Sequence, residues 1–469
     1  MSHITGISKD QYLLLPPLIE EWIPKEHPAR VVEMYVKTLD VRKLGFKIEN
    51  DLTGRPSYDP KEMLKILLYG YTNGERSSRK LERKTYEDLG YIWLTGNLHP
   101  DYRTIARFRQ MNTAALKGLL KETLKLYVEV GYKFDGTIFA DGTKLYANAS
   151  DNNVATQKRI RELEAAVEKM LKEAEDADKS EDERDGDNNG NFIDEEKLKK
   201  LEEKIKRSKE ALEETSQKAV SLTDKESRFM KHSMGHGKHL SYNGQISVDK
   251  NGVILEAEVE TKISDDGELL KARVKSVEKN TGKEVKIVVA DNGYYETNAV
   301  KELIESGKKC IVPKQPTQEK DKENFRYNKK KDIYKCAEGK ELHLIGKRLD
   351  RENTYLRYAA KKTDCINCKR AGKCYKGKLN GKYGRTLMIY EDREYMFKYR
   401  RIIKRNQKIF KKRKTTVEPT IGRIKEQHKF RRFLLRGLEK VRSEWNLVAT
   451  AANLAKLVRI MPRLGLNFG

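Results

Sequence analysis

Cysteine, long apolar runs and acidic charge are all in short supply in this sequence. Five cysteines in 469 residues exclude a disulfide-stapled scaffold, and in a reducing compartment they read as thiols or metal ligands. No apolar run approaches the eighteen or so residues that a membrane span needs. The opening stretch MSHITGISKDQYLLLPPLIEEW has no basic start followed by an apolar segment. It predicts no signal peptide and therefore a cytoplasmic, nucleoid-associated protein with no membrane partner. Acids number 71 against 97 Lys and Arg, a formal net charge of +26. An excess of that size points to a polyanion, and nucleic acid is the usual one. A merely solubilised basic protein is the plainer reading, but such proteins are mostly shorter than this chain.

What is present falls into segments of different period. Residues from about 10 to 130 read as helical. Asp59-Pro60-Lys61-Glu62 is a helix start in which Asp59 caps, Pro60 fits the first turn and Glu62 reaches back to the cap. A turn at Asn73-Gly74 leads into a basic helix with Arg79, Lys80 and Arg83, and another follows Asp101 with Arg103, Arg107 and Arg109. Short helices, tight turns and clustered cations suit a helix-turn-helix module, and equally a plain helical bundle with solvated basic faces.

From Thr137 the pattern turns to strands, at 137–147, 241–248, 253–259 and 285–291, interrupted by two long charged helices at roughly 157–175 and 195–219. Residues 312–392 read as irregular and Lys-rich. Between Lys398 and Arg436 there are sixteen Lys and Arg against two Glu, a strong footprint for phosphate. Arg423, Arg431 and Arg432 lie in it. An apolar helix at Asn446–Leu457 closes the pattern.

Two strands end in an aspartate, Asp141 before Gly142 and Asp291 before Asn292-Gly293. A carboxylate at the end of an apolar strand is costly to bury without a partner. Either Asp alone reads better as a turn marker after its strand. Two Asp and a Glu can instead hold two Mg²⁺ about 4 Å apart for in-line phosphoryl transfer. The third carboxylate is Glu418, before Pro419, which predicts a joint there with a new helix starting after it. Lys425, two turns on, can share a face with the start of that helix. Glu426 and Glu444 lack the adjoining Pro and the Lys seven residues on.

Cys336, Cys365, Cys368 and Cys374 form C-x₂₈-C-x₂-C-x₅-C, a spacing that suits structural Zn²⁺ or four free thiols. Cys310 reads as a buried strand residue. Asp185, Asp187, Asn189 and Glu196 satisfy the spacing of a calcium loop between two helices, and the competing reading is an acidic hairpin tip that matches by chance. His232, His236 and His239 read as a basic loop touching DNA.

These residues together resemble the DDE transposases of bacterial insertion sequences, specifically the insertion sequence 1182 family. Thr53–Pro60, Leu68–Tyr71 and Ser77–Glu82 are similar to the family's helical domain. Asp141-Gly142-Thr143-Lys144 resembles the first catalytic strand. Tyr242-Asn243-Gly244-Gln245 resembles the next, where Val or Ala is commoner than Gly244. Ala290–Tyr295 resembles the second Asp motif, where Lys is commoner than Asn292. Val417-Glu418 with Lys425 resembles the Glu motif, where Phe is commoner than Ile421. Phe430–Val441 is specific to the group.

The resemblance implies an all-α DNA-binding domain over 1–130 and an RNase H-like α/β catalytic domain over 131–460. Its mixed sheet would be flanked by helices and interrupted by a helical hairpin at 152–225 and a Cys-containing insertion at 312–392. It implies Asp141, Asp291, Glu418 and Lys425 as catalytic residues with Mg²⁺, a homodimer on DNA, and cleavage and strand transfer at terminal inverted repeats. The alternative is a catalytically inactive repressor derived from a transposase, and the intact carboxylates favour the enzyme.

Overall fold

The computed structural model describes residues 18–47, 56–182, 195–215, 217–232, 237–261, 267–314, 324–350, 353–375 and 381–464. The N-terminal helices are α1 (Pro28–Thr38), α2 (Pro60–Thr72), α3 (Ser78–Glu87), α4 (Leu89–Thr95), α5 (Tyr102–Met111) and α6 (Thr113–Glu129). The Asp59 carboxylate caps α2 by accepting from the Lys61 N–H at 2.7 Å. Glu62 pairs with Lys65 at 2.8 Å instead of reaching back to the cap. Asp101 caps α5 through the Arg103 and Thr104 N–H groups. Gly74 has the positive φ that the predicted turn requires. Gly70 lets α3 pack against α2, since a Cβ there would lie 2.3 Å from Leu81.

The sheet region follows, with β1 (Thr137–Tyr146), β2 (Val154–Thr156), α7 (Gln157–Asp182), α8 (Glu195–Thr215), β3 (Ala219–Ser221), β4 (Arg228–Lys231), β5 (Lys238–Val248), β6 (Ile254–Glu260), α9 (Gly267–Thr281), β7 (Ile287–Ala290), α10 (Thr297–Glu305) and β8 (Lys309–Ile311). The main sheet has the order β4-β5-β1-β7-β8, with β6 also on β5. β1 runs parallel to β7, and β7 to β8, whereas β5 is antiparallel to β1 and to β6. Val288, Val289 and Ala290 are fully buried, as expected of a central strand.

Residues 312–392 depart from expectation. They contain a five-stranded antiparallel sheet in the order β9-β10-β11-β12-β13, made of β9 (Phe325–Asn328), β10 (Ile333–Cys336), β11 (Glu341–Asp350), β12 (Asn353–Lys361) and β13 (Tyr383–Tyr390). Short helices α11 (Lys362–Ile366) and α12 (Ala371–Cys374) lie between the last two strands. The lysines masked an alternating pattern. Tyr334, Leu342, Leu356, Tyr358 and Leu387 make a small separate core, while Lys335, His343 and Arg357 beside them face water.

The C-terminal helices are α13 (Arg393–Arg405), α14 (Gln407–Lys411), α15 (Arg413–Glu426) and α16 (Leu438–Ile460). α16 is buried over most of its length, from Val441 to Leu457. It joins the sheet and the N-terminal helices in one apolar core. It also serves the backbone of β6. Asn453 accepts from the Ile254 N–H and donates to the Ile254 carbonyl, both at 2.9 Å. Asn446 donates to the Ala257 carbonyl at 3.1 Å. β6 has no strand partner besides β5 among the described residues, and side-chain amides cover its other edge in this way.

Candidate active site

The register of the central strands brings the two aspartates together. The last parallel pair of β1 and β7 is Ala140 with Ala290, so Asp141 and Asp291 come next, side by side. Asp141 does not end its strand. β1 continues against β5, with Asp141 opposite Ile246 and Gly142 opposite Gln245. β7 does stop, because the Asp291 carboxylate accepts from the Asn292 N–H at 2.7 Å and caps a short 3₁₀ turn. The expectation of two aspartates at strand ends therefore holds for Asp291 only.

Glu418 comes from α15. No joint occurs at Pro419, which lies inside a continuous helix from Arg413 to Glu426. Proline removes one helical hydrogen bond, but Val417, Thr420 and Ile424 are buried along the helix and hold it in place. Continuity has a consequence. Glu418 and Lys425 stand two turns apart on one helix and share a face. Burial lowers the pKa of the Lys425 ammonium, Arg431 adds to this, and the Asp141 charge opposes it.

One cation unites the carboxylates. The Arg413 guanidinium lies 3.0 Å from Asp141 Oδ2, 3.1 Å from Glu418 Oε1 and 3.8 Å from Asp291 Oδ1. Its Nη1 is buried and has no well-directed hydrogen bond among the described residues; its contact with Asp141 is one of charge. Burial pushes the Asp141 carboxyl up to about 6, with Arg413 and the Gly142 N–H pulling down and Asp291 and Glu418 pushing further up. Sequence reasoning missed Arg413. It stands in the run Lys411-Lys412-Arg413-Lys414, where nothing marks one cation as different.

The floor of the site is packed tightly. A Cβ at Gly244 would lie 3.0 Å from Leu145 and 3.2 Å from Trp445, so glycine fits this position as the indole stands. Trp445 donates to the Gln245 carbonyl at 2.9 Å, and the Tyr294 hydroxyl donates to the Gln245 side chain.

The other predicted positions are scattered. Arg79, Lys80, Arg83 and Arg107 are exposed on α3 and α5. Arg79 lies over the Tyr102 ring. Arg109 turns inward and donates to the Tyr71 hydroxyl and the Arg76 carbonyl. Arg431 pairs with Glu426, and Arg432 lies over the Tyr146 ring at 5.4 Å. His232 stacks on that same ring, and His239 bonds to Asp151; His236 lies outside the described residues. Asp185, Asp187 and Asn189 of the calcium spacing also lie outside them, while Glu196 pairs with Lys200 in the first turn of α8.

Cys310 is buried in β8. Cys336, Cys368 and Cys374 line one cavity beside the five-stranded sheet. Burial raises the Cys374 thiol pKa, partly offset by Arg385, and Cys365, Cys368 and Cys336 add to the rise. The four thiols thus gather at one end of that sheet. Among the described residues, however, no three His, Cys, Asp or Glu side chains are set to hold a metal ion. No described helix is long and apolar enough to cross a membrane.

Comparison with known families gives two matches. Residues 17–111 match a family described as Transposase domain (DUF772), which covers α1 to α5. Residues 335–458 match a family described as Transposase DDE domain, from the end of β10 into α16. Both matches are to transposase domains. Together they support a DDE transposase. The DDE match contains Glu418, Lys425 and Arg413 but neither aspartate, and the fold brings Asp141 and Asp291 to it. No curated protein sequence matches the chain.

Proposed function

We propose that this protein is a transposase of the insertion sequence 1182 group, which binds the terminal inverted repeats of its own element and catalyses DNA strand cleavage and strand transfer. The observation that carries this reading is the convergence of Asp141, Asp291 and Glu418 on one cation inside a strongly basic protein. The three carboxylates come from two adjacent strands and a helix 127 residues further along the chain than the second aspartate (418 against 291); they repel one another, and Asp141, the most buried of them, needs a cationic partner to be tolerated there. The strand order, with Asp141 on the central strand and Asp291 at the end of its parallel neighbour, supports an RNase H-like core.

The donor set fits divalent Mg²⁺, a hard cation that takes carboxylate oxygens and leaves positions for phosphate and water. Asp141, Asp291 and Glu418 would hold it, and bound metal supplies charge stabilisation of the phosphoryl group and activation of the attacking hydroxyl. The chain's own residues do the rest. Arg413 holds the carboxylates together, and its guanidinium fork would suit a DNA phosphate wherever a divalent ion took over those carboxylates. Lys425 places a donor on the same helix face, against the strand that Asp141 belongs to. The four cysteines would hold one structural Zn²⁺, which requires their sulfurs to draw together from their present arrangement. A homodimer on DNA completes the proposal.

The deciding experiment incubates the full chain with Mg²⁺ and end-labelled DNA from the ends of its own element. Cleavage at the repeat ends, dependent on Mg²⁺, is expected. Specific binding without any cleavage would favour the repressor reading.

A further inference from the structure

A second concentration of positive charge lies on the opposite face of α15. It is built by three elements. The β5–β6 turn brings Gly252, whose φ is +75°, α15 brings Thr420 and Arg423, and α16 brings Lys456 and Arg459. Two positions from Glu418 along a helix is about 200° of rotation, so Thr420 points away from the carboxylates, and the two sites share a helix without sharing a face. Lys456 Nζ and Arg423 Nη2 lie 3.5 and 3.6 Å from the point a Gly252 Cβ would occupy. Both cationic ends therefore close on the space that the missing side chain leaves open.

None of these three cations forms an ion pair among the described residues. Arg423 donates only to Thr420 Oγ1, at 3.3 Å, and Arg459 only to the Ala455 carbonyl. Asp249 is the carboxylate that bears on Lys456, but it accepts from the Tyr132 hydroxyl at 2.8 Å and the Val253 N–H at 2.6 Å. His428 lines the same cavity, buried, with Nδ1 against the Tyr71 carbonyl. Burial lowers its pKa, which keeps the ring neutral near pH 7. Burial likewise lowers the pKa of Lys456, with Arg423 and Arg459 adding and Asp249 opposing. Elsewhere buried and half-buried cations are satisfied by carboxylates, as with Arg273 on Glu256 and Glu260 and Lys308 on Glu278, or by several oxygen acceptors, as with Arg109 on the Tyr71 hydroxyl and the Arg76 carbonyl. Like charges gathered in a cleft whose lining holds no carboxylate, with Asp249 behind it already engaged, are a cost to the fold unless an anion occupies the cleft.

We infer that Arg423, Lys456 and Arg459, around Gly252, form a binding site for a single phosphate group. Arginine offers a planar fork of N–H donors and lysine a point charge, a combination suited to phosphate oxygens. That the phosphate belongs to a DNA backbone rests on the transposase reading; the site itself does not. On that reading one face of α15 carries Glu418 to the reacting strand while the other anchors a backbone phosphate, so the helix is fixed to its substrate from both sides.

The test uses the full chain, as wild type, as Arg423→Gln/Lys456→Gln and as the single exposed variant Arg459→Gln. Thermal melting in inorganic phosphate is compared with melting in chloride at equal ionic strength. Duplex binding is measured between about 50 and 200 mM salt. Phosphate should raise the wild-type midpoint more than that of either variant. In chloride the variants should melt at or above the wild type, since each removes repulsion. The slope of log K against log salt should become shallower by about one in the double variant. A differential phosphate effect without a slope change assigns the site to free phosphate. A slope change without the differential effect assigns it to DNA alone. Equal phosphate effects together with an unchanged slope overturn the site. Absence of Mg²⁺-dependent cleavage by the wild type would sink the transposase reading and leave these comparisons standing.

Discussion

Asp141 is a carboxylate held partly against its charge. With its pKa pushed up to about 6 from an ordinary 3.8, the folded protein prefers it protonated between those values. Its contribution to stability is therefore full below about pH 3.8, declines as pH rises, and is gone above about 6, where the fold carries a buried charge. A divalent ion binds the ionised form, so Mg²⁺ half-saturation should rise about tenfold for each pH unit below 6. Titrating Mg²⁺-dependent cleavage at pH 5, 6 and 7 measures this. In Arg413→Gln, which lacks the opposing cation, the midpoint should move upward, and a midpoint that stays put would show that Arg413 does not set it. Asp141→Asn, Asp291→Asn and Glu418→Gln keep shape and remove charge. Each should lower the cleavage rate on the order of 10³-fold or more, a few kcal/mol of transition-state stabilisation, while repeat binding survives. Glu426, exposed and paired with Arg431, is the control. Glu444 is not a suitable one. It is fully buried and accepts from the Leu434 and Leu435 N–H groups, so Glu444→Gln would test folding. If all three site variants cleave normally while Glu426→Gln fails, the carboxylates are misassigned.

Elements show where local pattern sufficed and where it did not. The cap at Asp59, the turn at Gly74 and the apolar strand before Asp291 were legible because each depends on neighbours in sequence. The unbroken helix through Pro419 was not, because tertiary burial of Val417 and Ile424 outweighs a local breaker. The helix α16 has a role that its sequence does not announce, since Asn446 and Asn453 look like ordinary polar residues in an apolar run. Asn453→Leu should leave the Ile254 N–H and carbonyl without partners, at a cost of about 1–3 kcal/mol for each group. Urea unfolding of the full chain reads this directly, and an unchanged midpoint would mean that water replaces the amide. The Cys-bearing sheet gives another prediction at this scale. Elemental analysis of protein purified without chelator should find zinc near one equivalent, reduced in Cys368→Ser. Zinc-free protein would leave Cys336, Cys365, Cys368 and Cys374 as packing thiols around the small core.

For the molecule as a whole, net charge matters together with the core that the main sheet shares with the N-terminal helices. The N-terminal helices are tied to the rest by polar links, a buried one from the Tyr127 hydroxyl to the Asn453 carbonyl and exposed ones from Arg76 to the Lys429 and Arg432 carbonyls. DNA recognition by these helices is therefore best tested in the full chain. Replacing Arg79, Arg83 and Arg107 with Gln should weaken binding to terminal-repeat DNA more than to random duplex, measured by competition at fixed salt. Equal loss on both would make these cations general phosphate contacts. By itself the sequence determined the chemistry available: a cationic surface, three candidate carboxylates, a lysine two turns beyond the third, four cysteines and the residues that cap and turn. The tertiary structure decided which of these meet. Register between β1 and β7 put Asp141 beside Asp291, an uninterrupted α15 brought Glu418 and Lys425 to them, and Arg413 was drawn out of a run of similar cations. The reason is physical: caps and turns depend on residues a few positions apart, whereas the pairing of buried charges is set by strand register and helix packing across hundreds of residues, to which no local pattern has access.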